Sequence, residues 1–543
     1  MKTNALYFGD NLDILREHIK DESIDLVYLD PPFNSNANYN VLFKSPKGHA
    51  SHAQIEAFDD TWHWGEEAEK EFNELLHQSN TNVAEMMQAL RKFLGENDMM
   101  AYLTMMANRL LELRRVLKQT GSLYLHCDPT ASHYLKVVLD GVFGTENFRN
   151  EIVWKRTNAR GTEGRWPRLH DVIFFYSKGA HFTFHTEKVP ADKAKLPHTL
   201  ITGADGEKYQ TYELTAPGAT KEGESGKPWR GFDPGRYGRH WGNSPTQMDA
   251  WDAEGLIHWP KDGGFPRRRA EEIFDPEGRT ITVGDVWTDI DRINQAAAER
   301  LGYPTQKPLT LLERIVSASS KENDLVLDPF CGCGTAVHAA ERLRRNWVGI
   351  DITHLAISLI EKRLRDAFPG IKFEVHGTPK DMGGARDLAT RDKYQFQWWA
   401  CSLVGAAPYQ GKKKGADSGI DGLIYFHDEE GAPAQKIVVS VKGGEHISVA
   451  MIRDLGHVVQ REKAAIGLFI TLTGPTKPML VEATKAGFYE SPQTKRNFTR
   501  LQILTIEELL DGNARPLYPN IESGGVTFKK AKVESKQEQR KLF

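Results

Sequence analysis

Residues Asp324 to Asp351 read DLVLDPFCGCGTAVHAAERLRRNWVGID, and the order of features in this stretch decides the fold. The apolar run LVL stops at Asp328. A turn carrying Gly332 and Gly334 follows, then a helical pattern, then a second apolar run that ends at Asp351. Strand, glycine turn, helix, strand is the grammar of an α/β sheet. The glycines let backbone approach a ligand closely, and a carboxylate about twenty residues on sits where nucleotide-binding α/β folds grip a ribose diol. The third glycine of a pyrophosphate-binding turn is missing, so a dinucleotide is not the expected ligand.

Working outward, the same pattern occurs near the start of the chain. The run Ile24 to Leu29, IDLVYL, ends in Asp30-Pro31-Pro32-Phe33. Ligands of open α/β sheets bind at such strand ends. The chemistry suggested is attack by an exocyclic base amine, a poor nucleophile whose lone pair is delocalised into its ring. Such an attack needs acceptors for both amine hydrogens. Asp30 supplies one acceptor and the carbonyl of Asp30 or Pro31 the other. The prolines stiffen the turn, and Phe33 offers a face for a flipped base. A strand that merely ends in a turn would look similar, so the motif gains meaning from the cofactor-type loop that accompanies it.

Further α/β elements are expected in ALYFG, in a helix over Asn11 to Ile19, in a helix from Met99 to Leu117, in the strand GSLYLHCD, in a helix over Tyr134 to Val142 and in the strands EIVWKR and DVIFFYS. Apart from that last strand, residues 157–290 are rich in Gly, Pro, Arg and Trp and read as an inserted recognition region. A linker is expected over 366–387, a second α/β domain over 388–512, and a charged, disordered tail over 513–543.

The whole chain has 543 residues, enough for more than one core, with 70 Lys and Arg against 73 Asp and Glu. No global basic field points to a polyanion, so any nucleic-acid surface must be a local patch. Four cysteines, Cys127, Cys331, Cys333 and Cys401, are too few and too scattered for a disulfide framework or a thiolate zinc site, which fits a reducing cytoplasm. No run is apolar enough to span a membrane, and no membrane partner is expected.

Taken together, Asp30-Pro31-Pro32-Phe33 and Phe330-Cys-Gly332-Cys-Gly334 closely resemble the signatures of the amino-group DNA methyltransferases, D/N/S-P-P-Y/F/W and F-x-G-x-G. Their order resembles the permuted beta class, in which catalytic motifs come first, then target recognition, then cofactor binding. The resemblance covers residues 1 to 365 and implies a Rossmann-like methyltransferase sheet that uses S-adenosyl-L-methionine (SAM) on double-stranded DNA. It implies SAM contacts from Asp328, Pro329, Phe330, Gly332, Gly334, Thr335 and Asp351. It also implies that Thr305, Gln306, Lys307 and Pro308, in the segment YPTQKP, help to hold the methionine part. Aspartate at position 30 favours adenine N6 over cytosine N4 as the target. In the recognition region, Arg230, Arg236, Arg239, His240 and Trp241, with Arg267, Arg268 and Arg269, are candidate DNA contacts. A homodimer and a separate restriction subunit are further partners that such an enzyme can have.

The second domain resembles Mrr-type restriction endonucleases. Asp421 and Lys442 occupy the positions of that family's strand-end aspartate and catalytic lysine. Ser440 stands where a metal-binding acid or glutamine is expected, and Gln395 or Gln397 where a helix glutamate often lies. Asp421, with Asp417, is the expected Mg2+ ligand set, and the serine puts cleavage in question. A DNA-tethering protein with an inactive nuclease-like domain is the alternative for the whole chain.

Overall fold

The structure is a computed structural model that describes residues 4–32, 64–78, 80–158, 164, 166–190, 200–202, 208–220, 223–261, 263–270, 280–294, 297, 299–301, 303, 305–409, 419–429, 433–519, 527 and 531–534, and the backbone alone at 39–44, 50–58, 190, 200, 202, 208, 280 and 281. Phe33 and Asp417 lie outside the described residues.

The dominant element is a nine-stranded sheet. In chain order its strands are β1 (Ala5–Phe8), β2 (Ile24–Leu29), β3 (Leu117–Cys127), β4 (Phe148–Lys155), β5 (His170–Ser177), β6 (Val286–Trp287), β7 (Leu325–Asp328), β8 (Asn346–Asp351) and β9 (Glu374–His376). Their spatial order is β6-β4-β5-β3-β2-β7-β8-β1-β9. Only β5 runs against its neighbours. Strands β2 and β7 are side by side, with Val326 opposite Leu26 and Leu327 opposite Val27. The near-continuous apolar runs IDLVYL and LVL are explained by this position, since central parallel strands are covered on both faces. The carboxylate of Asp25 secures the entry end: it accepts from Leu325 N at 2.9 Å, 300 positions away, and from Lys118 Nζ at 2.7 Å.

One face of the sheet is covered by α1 (Asn11–His18), α2 (Asp98–Val116) and α3 (Ser132–Phe143), which share a core with Leu29, Leu125 and Leu327. Asp10 caps α1 by accepting from Leu12 N at 2.7 Å. Two helices that the sequence reading left unassigned, Glu66–Leu76 and Thr81–Leu94, add Phe72, Leu75, Val83 and Met87 to this core. After the recognition region come α4 (Leu309–Ser319), α5 (Thr335–Arg342) and α6 (His354–Ala367).

The stretch expected to be a linker, 366–387, is ordered. It contributes β9 to the sheet edge and begins α7 (Met382–Arg391), because its apolar residues have partners: Val375 opposite Leu6, and Ala385 and Leu388 in the next core. That core belongs to a five-stranded sheet of β10 (Ala407–Pro408), β11 (Gly422–Phe426), β12 (Gln435–Lys442), β13 (Ile466–Thr471) and β14 (Leu501–Thr505), paired in that order. Helix α8 (Lys393–Leu403) lies on one face and α9 (Val449–Arg461) on the other. The tail also departs from expectation where it is described. The Glu534 side chain is buried, bonded to His338 Nε2 at 3.1 Å and paired with Arg342 Nε at 3.2 Å, which ties this residue to α5.

Residues Thr186–Gly284 form a separate unit. Its main sheet carries strands Leu200–Thr202, Lys208–Glu213, Ile257–His258 and Arg267–Arg269, and its small core is built from Leu214, Trp229, Trp241, Met248 and Ile257. The unit boundaries lie inside the expected 157–290, because β5 and β6 belong to the large sheet.

Gly349 tests this packing. A Cβ there would stand 3.0 Å from both Leu6 Cδ2 and Val337 Cγ2 and 3.2 Å from Cys331 Sγ. Gly349→Ala is expected to cost about 1–3 kcal/mol through overpacking, measurable by urea denaturation. An unchanged midpoint would contradict the packing of β8 described here.

Candidate active site

The C-terminal ends of β1, β2, β7 and β8 open into a cavity of about 270 Å³ whose lining includes Asp10, Tyr28, Asp30, Lys307, Asp328 and Asp351. The two motifs that the sequence separates are therefore walls of one site. Their strands are neighbours in the sheet, so their terminal carboxylates emerge together.

The glycine turn between β7 and α5 takes the backbone shape that its residues require. Gly332 and Gly334 have φ of +50° and +72°, values costly for any residue with a Cβ. A Cβ on Gly332 would come within 3.2 Å of the Tyr303 ring, and one on Gly334 within 2.8 Å of Ile360. From below, the guanidinium of Arg363 donates to Cys333 O at 3.0 Å and Thr335 Oγ1 at 3.1 Å, while its Nε donates to His338 Nδ1 at 3.1 Å. His338 is correspondingly held neutral: burial, then the charge of Arg363, lowers its pKa to about 4. Cys331 and Cys333 are free and buried, and burial raises both thiols, as befits packed turn residues.

Asp351 lies across the turn. One oxygen accepts from Gly332 N at 2.9 Å and the other from Thr353 N and Oγ1 at 2.9 and 2.8 Å. The carboxylate so placed both shapes the loop and borders the cavity. Burial pushes its pKa up to about 6 in spite of those donors. Asp328 is raised well above the ordinary carboxylate range, first by burial and further by the neighbouring Asp30 and Asp351.

Gln306 and Lys307 of the segment YPTQKP both line the cavity, and Lys307 has a further partner there. Its ammonium forms an ion pair with Asp30, the carboxylate at the end of β2. Gln306 bonds within its own loop, donating to Glu299 O at 2.6 Å and accepting from Leu301 N at 2.8 Å. Pro308 stands at the N-cap of α4, so the segment does open the flanking helix, and Thr305 lines the cavity.

Three residues that sequence reasoning passed over shape the site. Arg109, 5% exposed in the middle of α2, forks onto Asp10 at 2.9 Å and Asn11 Oδ1 at 2.6 Å. Asn11 in turn donates to Pro329 O at 2.8 Å, tying α1 to the cofactor-type turn. Tyr28, two residues before Asp30 on the same strand face, also lines the cavity. An arginine within an otherwise apolar helix run was the available signal for the first; nothing local marks the other two.

The recognition unit sorts its candidates. Trp241 is 1% exposed and donates to Lys227 O at 2.9 Å, so it is a core residue of the unit and not a DNA contact. Arg230 is engaged by Asp249 and Asp252, and Arg239 by Glu213 and Thr215. His240 bonds to Gly218 O at 2.7 Å. Arg236 is the extended one, with a side chain 80% exposed beside Asp233. Arg268 and Arg269 lie over Trp251 and Tyr209 at 4.1 and 3.8 Å from the ring centroids, and Arg267 pairs with Glu213.

In the C-terminal sheet, Asp421 precedes β11 and accepts from Val441 N at 2.7 Å, which brings it beside the strand end that carries Lys442. Ser440 is 5% exposed on the same strand. Gln395 is turned toward α6, where it accepts from His354 N at 3.2 Å.

The family described as DNA methylase, of N6 and N4 type, matches residues 24–362. A second description, NACHT-associated inactive restriction endonuclease 1, matches residues 402–511. Among relatives, the type II methyltransferase M.HinfI of Haemophilus influenzae is 38% identical over 372 residues, covering 67% of this chain and 69% of its own length. M.EcaI of Enterobacter cloacae is 29% identical over 362 residues, covering 66% of this chain and 69% of its own. A DNA modification methylase of Thermus thermophilus, solved with S-adenosyl-L-methionine, has 16% identity and a TM-score of 0.34, and covers 69% of this chain and 99% of that one. The chain belongs to the N6/N4 DNA methylase family of DNA methyltransferases.

The raised Asp351 has a measurable consequence. Its neutral form is favoured in the folded protein, so the stability it contributes is full below the unfolded pKa and is lost as pH rises through about 6. The melting temperature of Asp351→Asn minus that of the wild type is expected to shrink as pH falls from 7 to 5, read by calorimetry without ligand. A difference that does not vary with pH would show that Asp351 titrates normally.

Proposed function

We propose that this chain transfers a methyl group from S-adenosyl-L-methionine to the exocyclic N6 amine of adenine in double-stranded DNA. The observation that carries the reading is the convergence of Asp30, at the end of β2, with the glycine turn and Asp351 in a single cavity. The residues present fit the cofactor. Gly332 leaves a cradle that a Cβ would fill against Tyr303, and Asp351 borders the cavity where a ribose diol needs an acceptor. Gly332, Thr335, Phe330, Pro329, Thr305 and Asp328, which line the cavity, would surround it, while Gly334 shapes the turn from behind against Ile360. Bound there, it supplies an electrophilic methyl group.

Asp30 has the role of acceptor for one of the amine hydrogens. Lys307 keeps that carboxylate paired until a base arrives, and Pro31 and Pro32 fix the turn. Phe33 is assigned the stacking face on sequence grounds. Aspartate at position 30 supports adenine over cytosine. Arg236 is the candidate of the recognition unit best placed for phosphate, while Arg230, Arg239 and His240 support the loop that presents it.

Asp30→Ala is expected to leave SAM affinity within about twofold while lowering methyl transfer by at least about a hundredfold, since an interaction made in the transition state is removed. Nucleoside mass spectrometry of treated DNA, with calorimetric titration of SAM, reads both. N4-methylcytosine in place of N6-methyladenine would overturn the choice of base, and a collapse of SAM binding would reassign Asp30.

For the C-terminal domain the same proposal gives a nuclease-like fold that holds DNA without cutting it. Ser440 replaces a carboxylate beside Lys442, and Asp421 already spends one oxygen on Val441 N, which leaves little charge to offset a divalent ion. Supercoiled DNA incubated with the protein and Mg2+ is expected to stay intact. Nicking that disappears in both Asp421→Ala and Lys442→Ala would show an active nuclease instead.

A further inference from the structure

Beside Asp30 the structure carries a buried polar chain for which the methyl-transfer geometry gives no account. Tyr28 (β2), His126 (β3) and Asp171 (β5) lie on three successive neighbouring strands. The Tyr28 hydroxyl is 3.1 Å from His126 Nδ1, and His126 Nε2 is 3.1 Å from Asp171 Oδ2. None of the three is more than 2% exposed. At the far end Asp171 Oδ1, which is buried and makes no hydrogen bond among the described residues, is charge-paired with Arg156 at 3.2 Å. One end therefore borders the cavity and the other is a buried carboxylate opposed by a cation.

The direction of the hydrogen bonds follows from charge. Burial alone would raise Asp171, but its hydrogen bond to His126, the positive charge His126 can carry and the charge of Arg156 hold it below the usual carboxylate range, so it is an anionic acceptor. In a neutral imidazole, Nε2 must then carry the proton, Nδ1 is bare, and the phenol of Tyr28 donates to it. Burial keeps that phenol protonated, and Asp30, Asp328 and Asp171 reinforce this. With its hydrogen committed to His126, the phenol oxygen is left with lone pairs for a donor in the cavity.

Transfer of a methyl group to a neutral amine leaves that nitrogen positively charged and holding one hydrogen too many. We infer that Tyr28, His126 and Asp171 form a proton relay that takes up the surplus proton of the methylated amine and holds it on His126 beside Asp171. One N–H bond of the charged amine breaks as a bond forms to the Tyr28 oxygen, while the original phenol proton moves to His126 Nδ1. The product amine becomes neutral, Tyr28 is again a phenol, and the imidazole is briefly an imidazolium facing the Asp171 carboxylate. When the product leaves, the Nδ1 proton returns to the Tyr28 oxygen as the phenol proton passes to water entering the cavity, which restores the neutral Nε2–H tautomer. Tyr28 meets the substrate in this scheme, whereas His126 and Asp171 are positioning residues that act through it.

This inference rests on the methyltransferase reading, and the test separates the two. Tyr28→Phe removes one oxygen and keeps the ring packed. In single-turnover methylation at saturating DNA and SAM it is expected to lose about a hundredfold in rate, typical of a general acid or base, with SAM affinity unchanged. Adding His126→Gln should cost nothing further, because the path is already cut. Independently of activity, 15N spectra of the resting protein should place the His126 proton on Nε2. A Tyr28→Phe enzyme of wild-type rate, a loss confined to SAM affinity, or a proton found on Nδ1 would each overturn the path. The methyltransferase reading is judged on the wild-type product alone: DNA left unmodified by the wild type would sink it, and the His126 tautomer would still decide the direction of the chain.

Discussion

Everything at the site depends on the parallel pairing of β2 with β7. These strands belong to opposite ends of the methyltransferase region, yet Val326 and Leu327 register against Leu26 and Val27, so Asp328 falls level with Tyr28 and Asp30 follows two residues on, at the same end of the sheet. Both strands are apolar on both faces because both are central, and burial of those faces is what specifies the pairing. The carboxylate of Asp25, clasping Leu325 N, fixes the opposite end of the same junction. The cavity is a consequence of this arrangement, since open α/β sheets leave a crevice at the carboxyl ends of their strands.

Around that junction the protein places charged groups where apolar packing would ordinarily be safer. Arg109 and Arg363 are both almost fully buried, and each is satisfied by several acceptors on different elements. A buried cation left with a missing partner costs several kcal/mol, so such groups fix relative positions stringently. Arg109 sets α1 and the Asn11 contact to Pro329; Arg363 sets the turn at Cys333 and Thr335. The loop conformation is thus held from two sides without occupying the cavity.

Much of the fold was legible because central strands and amphipathic helices announce themselves by period. DLVLDPFCGCGT and IDLVYLDPPF ended where the reading placed their ends, and the helix expected over Met99–Leu117 spans Asp98–Val116. The linker was misread because β9 is a three-residue edge strand, GIKFEVHG being too short to show alternation, and its pairing with β1 is a long-range fact. Residues 531–534 read as part of a disordered tail because composition registers the charge of Glu534 but not the buried His338 and half-buried Arg342 that it meets. Trp241 reads as a DNA contact from sequence because an aromatic among arginines has the same look on a surface loop as in a small core.

By itself the sequence determined the class of fold, the two strand-end motifs and the family resemblance, because these rest on short-range order: where an apolar run stops, which residues allow a tight turn, and which side chain stands there. Only the tertiary structure decided which groups meet. That Lys307 pairs with Asp30, that Asp351 binds Gly332 N, and that Tyr28, His126 and Asp171 line up across three strands are outcomes of sheet order and register. Such contacts join residues far apart in the chain, and no local pattern encodes them, because the free energy that creates them comes from burying apolar faces elsewhere in the sheet.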